Sequence, residues 1–149
     1  MKIIEEQDLT CSDVEVTIKY ERKDELVRRI IRFLESADMQ IRCESDGIQR
    51  QVNVSDIYYI ESVDKKSFLY LEKQVYHTEL RLYQLADQLK RYGFVQISKS
   101  CILNINVLES IKPIFNSRME AILKNGEKVY INRSYLNEVK QALKGEEEI

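Results

Sequence analysis

The sequence predicts a mostly β fold of the α+β class, with antiparallel β-sheets and an N-terminal strand-helix attachment. Residues 39–131 are dominated by short β-rich runs separated by turn signals, and three other stretches carry helical spacing instead. At 149 residues, with 44% hydrophobic and 32% charged content, the chain can bury a core, and one compact domain with a small appended unit is expected.

The elements follow in order. "VEVTIKY" (Val14 to Tyr20) alternates apolar with polar residues and predicts a half-buried strand. "DELVRRIIRFLES" then sets Leu26, Ile30 and Leu34, with Val27, Ile31 and Phe33, on one broad stripe, and Arg28, Arg29 and Arg32 largely opposite. Glu21, Asp24, Glu25 and Glu35 share the segment, so these arginines read as a solvated face rather than a nucleic-acid stripe. From Met39 the period changes to that of strands: "MQIRCES", "IQRQVNV", "IYYIES", "FLYLEK" and "QVYHTE", separated by "DG", "SD" and "DKKS". "LRLYQLADQLKRYG" has Leu82, Leu85 and Leu89 at helical spacing and ends at Gly93, a natural C-cap. "FVQISKSCILNIN", "ESIKPI", "RMEAILK" and "EKVYIN" resume the strand pattern, with "KNGE" as a hairpin turn. "SYLNEVKQALKG" closes as a helix with Leu136, Val139 and Leu143 inward, and the acidic "GEEEI" reads as a solvated tail.

Several function classes lack support. No run approaches the roughly 20 apolar residues of a membrane span, and "MKIIEEQDL" is acidic where a signal peptide is basic, so a cytoplasmic protein is expected. Cys11, Cys43 and Cys101 form no C-x-x-C or Cys/His cluster, so no disulfide framework, metal site or cofactor is expected. His77 is the one histidine, and Cys101 as a nucleophile would need a base and an orienting group. Neither an enzyme nor a small-molecule substrate is expected. The net charge of -2 disfavours a polyanionic partner, but its distribution does not. Residues 1–50 carry 9 Lys/Arg against 12 Asp/Glu, whereas residues 51–144 carry 14 against 10, so an anionic partner would meet the second part.

Three polar interruptions sit at strand ends there: "DKKS" (Asp64 to Ser67), "SKS" (Ser98 to Ser100) and "NRS" (Asn132 to Ser134). Each offers a cation and short neutral hydrogen-bonding groups, a set suited to phosphates and base edges. Alone, "DKKS" is an ordinary turn and "NRS" an N-cap for the last helix. Together they point to nucleic acid.

From about Ile48 to Leu143 the chain resembles the LytTR family of bacterial DNA-binding domains. The residues that carry the resemblance are "DIYYIESVDKKSFLYLEKQVY", "LRLYQLADQL", "GFVQISKSCILNINVLESIKP" and "LKNGEKVYINRSYLNEVKQAL", in that order. It implies antiparallel sheets with few helices, and a sequence-specific transcriptional regulator that reads double-stranded DNA through loops and strand ends instead of a recognition helix. Carried over by position, the DNA-binding residues are Lys65, Lys66 and Ser67, then Ser98, Lys99 and Ser100, then Asn132, Arg133 and Ser134. The family often has two consecutive basic residues after a serine in the last motif, where this chain has Asn132, Arg133 and Ser134.

The expected division is an N-terminal extension over residues 1–45, as a dimerisation unit, and a LytTR-like domain over residues 46–149. About 45 residues are too few for the receiver domain that many such regulators carry. The arrangement resembles small stand-alone members, some of which are restrained by a membrane-protein partner. A homodimer is expected, because the stripe at Leu26, Ile30 and Leu34 needs a cover. The alternative is a protein-interaction module of the same fold without strong DNA affinity, which the net negative charge favours.

Overall fold

The structure, a computed structural model, describes residues 1–144. The expected acidic tail lies outside the described residues. The first helix, α1 (Glu25–Ala37), starts where Asp24 sits in extended backbone and its carboxylate accepts the Val27 amide at 3.0 Å, as an N-cap does. Five strands follow: β1 (Gln40–Ser45), β2 (Ile48–Asn53), β3 (Tyr59–Val63), β4 (Lys66–Tyr70) and β5 (Val75–Thr78). Asp46 and Gly47 join the first two with φ of 52° and 77°, the positive pair that a tight hairpin needs to match strand twist.

Helix α2 (Leu82–Leu89) buries Leu82, Leu85 and Leu89 as their spacing predicts, and a short 3-10 turn carries it to Gly93 in the left-handed region. Next come β6 (Phe94–Ser98), β7 (Cys101–Asn104), β8 (Leu108–Pro113), β9 (Met119–Leu123) and β10 (Lys128–Ile131), before α3 (Leu136–Lys144).

Every strand pairing is antiparallel. The larger sheet runs β2-β1-β5-β4-β3-β7-β6 and the smaller one β10-β9-β8. Two cores lie on opposite faces of the larger sheet. One gathers Ile57, Ile60, Leu69, Phe94 and Ile102 with Leu85 and Leu89 of α2. The other gathers Ile97 and Leu103 with Ala121, Leu123 and Ile131 of the smaller sheet and Val139 of α3. Neighbours Ile102 and Leu103 therefore point into different cores, which is why β7 reads as a continuous apolar run.

Three expectations about the N-terminal part change. Residues 14–20 form no strand: among the described residues no backbone hydrogen bond reaches residues 15–20, so their alternation has no ladder within the chain. The larger sheet begins at Gln40, so a boundary after residue 45 falls inside the β1–β2 hairpin. Helix α1 is also rotated from the expected orientation. Val27 is buried, but Leu26 and Phe33 stay 49% and 54% exposed, while Arg32 is half-buried with Nη1 donating to the Ala142 carbonyl at 3.4 Å.

Candidate nucleic-acid interface

The three polar interruptions stand on three tight connections. Between β3 and β4, Asp64 and Lys65 take φ of 51° and 66°, the same double-positive hairpin geometry as Asp46–Gly47 but without a glycine. Between β6 and β7 the turn is Lys99–Ser100, where the Ser98 hydroxyl accepts the Ser100 amide at 3.2 Å. A register shift between Gln96 and Ser98 bends this strand end. The third connection leaves β10 through Asn132 in extended backbone and enters a 3-10 turn, Arg133–Tyr135, ahead of α3.

Backbone hydrogen bonds set these connections side by side. The Ser62 amide donates to the Ser100 carbonyl at 2.8 Å, joining the first turn to the second. The Asn132 amide donates to the Ile97 carbonyl at 2.9 Å, joining the second to the third. Buried Ile97, Ile102, Leu69 and Ile131 anchor the strands that present them, so the row rests on packed framework. A lysine between two serines is therefore set in an apolar run because Ile97 and Ile102 hold the hairpin on both sides while its tip stays wet.

Lys65, Lys66, Lys99, Ser100, Asn132, Arg133 and Ser134 are exposed, and Ser98 is half-buried. Ser67 departs from the expected set. It is fully buried, and its hydroxyl donates to the Leu80 carbonyl at 2.7 Å. Strand β4 starts at Lys66, so position 67 shares the inward face with Leu69 at the strand's period of two. This places a neutral hydroxyl in the framework instead of on the surface.

The same bond brings in a cation that the sequence reading missed. By holding Leu80 beside the first turn, it sets exposed Arg81 next to that end of the sheet, where the Arg81 amide also donates to Gln84 Oε1 at 2.8 Å. In the sequence, Arg81 is only the residue before a helix. Lys73 lies in the tight connection after β4, closed by the Leu71 amide on the Gln74 carbonyl at 2.8 Å, at the opposite end of that strand from Lys66.

The reactive side chains have little chemistry available. Burial, with a smaller contribution from Glu61, pushes the Cys101 thiol up to about 12, so it stays protonated near neutrality. Burial, then hydrogen bonding to Glu127, raises the Tyr59 hydroxyl, whose ring stacks on Tyr70 with centroids 4.4 Å apart. His77 is half-buried with its ring 6.0 Å from that of Phe68. No cluster of three or more His, Cys, Asp or Glu suited to a metal occurs among the described residues. No helix among them is long and apolar enough to cross a membrane. Exposed cations and small polar groups on a row of turns suit an extended anion that lies across them.

The profile of the family described as "LytTr DNA-binding domain" matches residues 49–144. The chain is 37% identical over 93 residues to the sensory transduction protein LytT of Bacillus cereus, covering 62% of this chain and 38% of that one. It is 33% identical over 92 residues to a Staphylococcus aureus protein named as an HTH-type transcriptional regulator, covering 62% of each. The chain thus spans well under half the length of the LytT relatives it matches. A solved structure, the LytTr DNA-binding domain of a Bacillus cereus protein described as a methyl-accepting/DNA response regulator, superposes with a TM-score of 0.65 at 24% identity. That match covers 70% of this chain and 95% of the other, and establishes the shared fold.

Proposed function

The chain belongs to the LytTR family of DNA-binding domains, and from that premise we propose that it is a sequence-specific transcriptional regulator that reads duplex DNA with hairpin turns and a strand end. The observation that supports this reading is the hydrogen-bonded row of three connections carrying Lys65, Lys66, Ser98, Lys99, Ser100, Asn132, Arg133 and Ser134. Lys99 and Arg133 are the base-reading candidates, because hairpin tips and strand ends held by buried neighbours can fix a side chain against one base edge. Lys65, Lys66 and Arg81 suit phosphates, which position a protein on the duplex without reading sequence.

The function has no catalytic step in this proposal. It acts from the cytoplasm, and restraint by a membrane-protein partner belongs to the same proposal on the strength of the family resemblance. Selecting bound duplexes from a random pool, then measuring affinity for selected and scrambled sites at fixed salt, tests it. Selective binding by at least about 10³-fold over non-specific DNA is expected. Equal, weak binding to both would favour the alternative, an interaction module of the same fold, which the net charge of -2 supports.

A further inference from the structure

Residues 14–20, VEVTIKY, have the pattern of a strand and no ladder among the described residues of their own chain. Val14, Val16 and Tyr20 are 87%, 57% and 49% exposed, and Ile18 is half-buried. Alternation puts these four on one side of an extended segment and Glu15, Thr17 and Lys19 on the other. Four residues further on, α1 leaves Leu26 and Phe33 uncovered. Five large apolar side chains left this exposed within 20 residues of sequence call for a cover.

We propose that a second copy of this chain covers it, with residues 14–20 of the two copies paired antiparallel about a two-fold axis through Thr17. In that register Glu15 faces the partner's Lys19, and Lys19 faces the partner's Glu15. Val14 faces the partner's Tyr20, and Val16 the partner's Ile18, so all eight apolar side chains share one face of the ribbon. The polar face holds two opposite-charge pairs flanking a Thr–Thr pair, each a stabilising cross-strand combination.

The alternatives fit the same residues less well. Parallel in-register pairing sets Glu15 against Glu15 and Lys19 against Lys19. An antiparallel slip of one residue sets apolar side chains opposite polar ones. A slip of two, centred on Val16, leaves Tyr20 opposite Ser12 and Glu15 opposite Thr17. A two-stranded ribbon is marginal alone, and the exposed sides of the two α1 helices at Leu26 and Phe33 are the surface on which its apolar face settles. The contact is isologous, so it closes at two copies. It goes beyond the DNA reading, because it needs no nucleic acid, and it would join two rows of DNA-facing turns.

Sedimentation of the full chain without DNA tests the pairing. The wild type should show a concentration-dependent monomer–dimer equilibrium. Glu15→Lys and Lys19→Glu should each raise the dimer dissociation constant about tenfold or more, since each converts two attractive pairs into two repulsive ones. Mixed in equal amounts, the two variants should dimerise about as well as the wild type, because every charged pair across the ribbon then sets a lysine of one variant against a glutamate of the other. Thr17→Cys, in a Cys11→Ser background, should give a disulfide-linked dimer under mild oxidation. Glu15, Thr17 and Lys19 are exposed, so the variants keep the fold, which circular dichroism verifies. A wild type that stays monomeric at all concentrations overturns the proposal and leaves the surface to a different partner. So does a dimer indifferent to both charge reversals, or a mixture no better than either variant alone.

Discussion

The Ser62 amide donates to the Ser100 carbonyl at 2.8 Å, and this bond joins the β3–β4 turn to the β6–β7 turn. The Asn132 amide on the Ile97 carbonyl adds the third connection. Three segments far apart in the chain thus stand side by side, the backbone arrangement on which the proposed DNA reading rests.

Lys99→Ala and Arg133→Ala should each weaken binding to a selected duplex by about 1–3 kcal/mol and relax discrimination at one position. Both side chains are exposed, so thermal unfolding should barely change. Lys73→Ala, at the opposite end of β4, is the control for lost charge alone and should leave binding nearly intact. Equal loss from all three, measured by anisotropy at one salt concentration, would reduce the turn-based reading to a diffuse field.

Lys65 carries a backbone conformation as well as a charge. At φ of 66° a non-glycine side chain is strained by roughly 1–2 kcal/mol. Lys65→Gly should therefore stabilise the fold by about 1 kcal/mol while Lys65→Ala leaves it near the wild type. Both should lower the slope of log K against log salt by about 1, if Lys65 meets phosphate. Paired denaturation and salt-titration series separate the two effects.

Ser67→Ala should cost about 1–3 kcal/mol in unfolding free energy, because the Leu80 carbonyl loses the hydroxyl that now donates to it at 2.7 Å. Its DNA affinity should fall less than that of Lys99→Ala. A loss of affinity as large as for Lys99→Ala, with unchanged stability, would return Ser67 to the DNA-facing set.

Cys101 makes stability depend on alkaline pH. Its thiol is raised from 9.0 to about 12 in the folded chain, with burial the larger cause. Below 9.0 both states are protonated and the contribution is complete. As pH rises from 9.0 toward 12, the unfolded chain ionises first and stability is lost. Tyr59 and Tyr70 are shifted in the same sense, so Cys101→Ser should flatten this decline without abolishing it. Denaturant midpoints across that range provide the check. At neutral pH, exposed Cys11 should react with a thiol reagent well before Cys101 or buried Cys43.

Much was readable from local pattern. The helical spacing of Leu82, Leu85 and Leu89, the Asp46–Gly47 turn and the apolar run around Ile102 and Leu103 each describe a preference that acts within a few residues. The connections bearing Lys99 and Arg133 were readable for the same reason, since polar residues interrupting apolar strands mark strand ends.

What the tertiary structure alone decided are matters of partners distant in the chain. Ser67 looked like loop because its neighbours are polar, and only the register of β4 against β5 turns it inward onto Leu80. Arg81 joins the same end of the sheet because Leu80 is drawn there, a placement that no local signal encodes. Val14 to Tyr20 carries a strand's alternation, but a strand exists only where another edge supplies its hydrogen bonds, and the folded chain supplies none among the described residues. Periodicity is a property of neighbours along the sequence, whereas burial and pairing belong to neighbours in space.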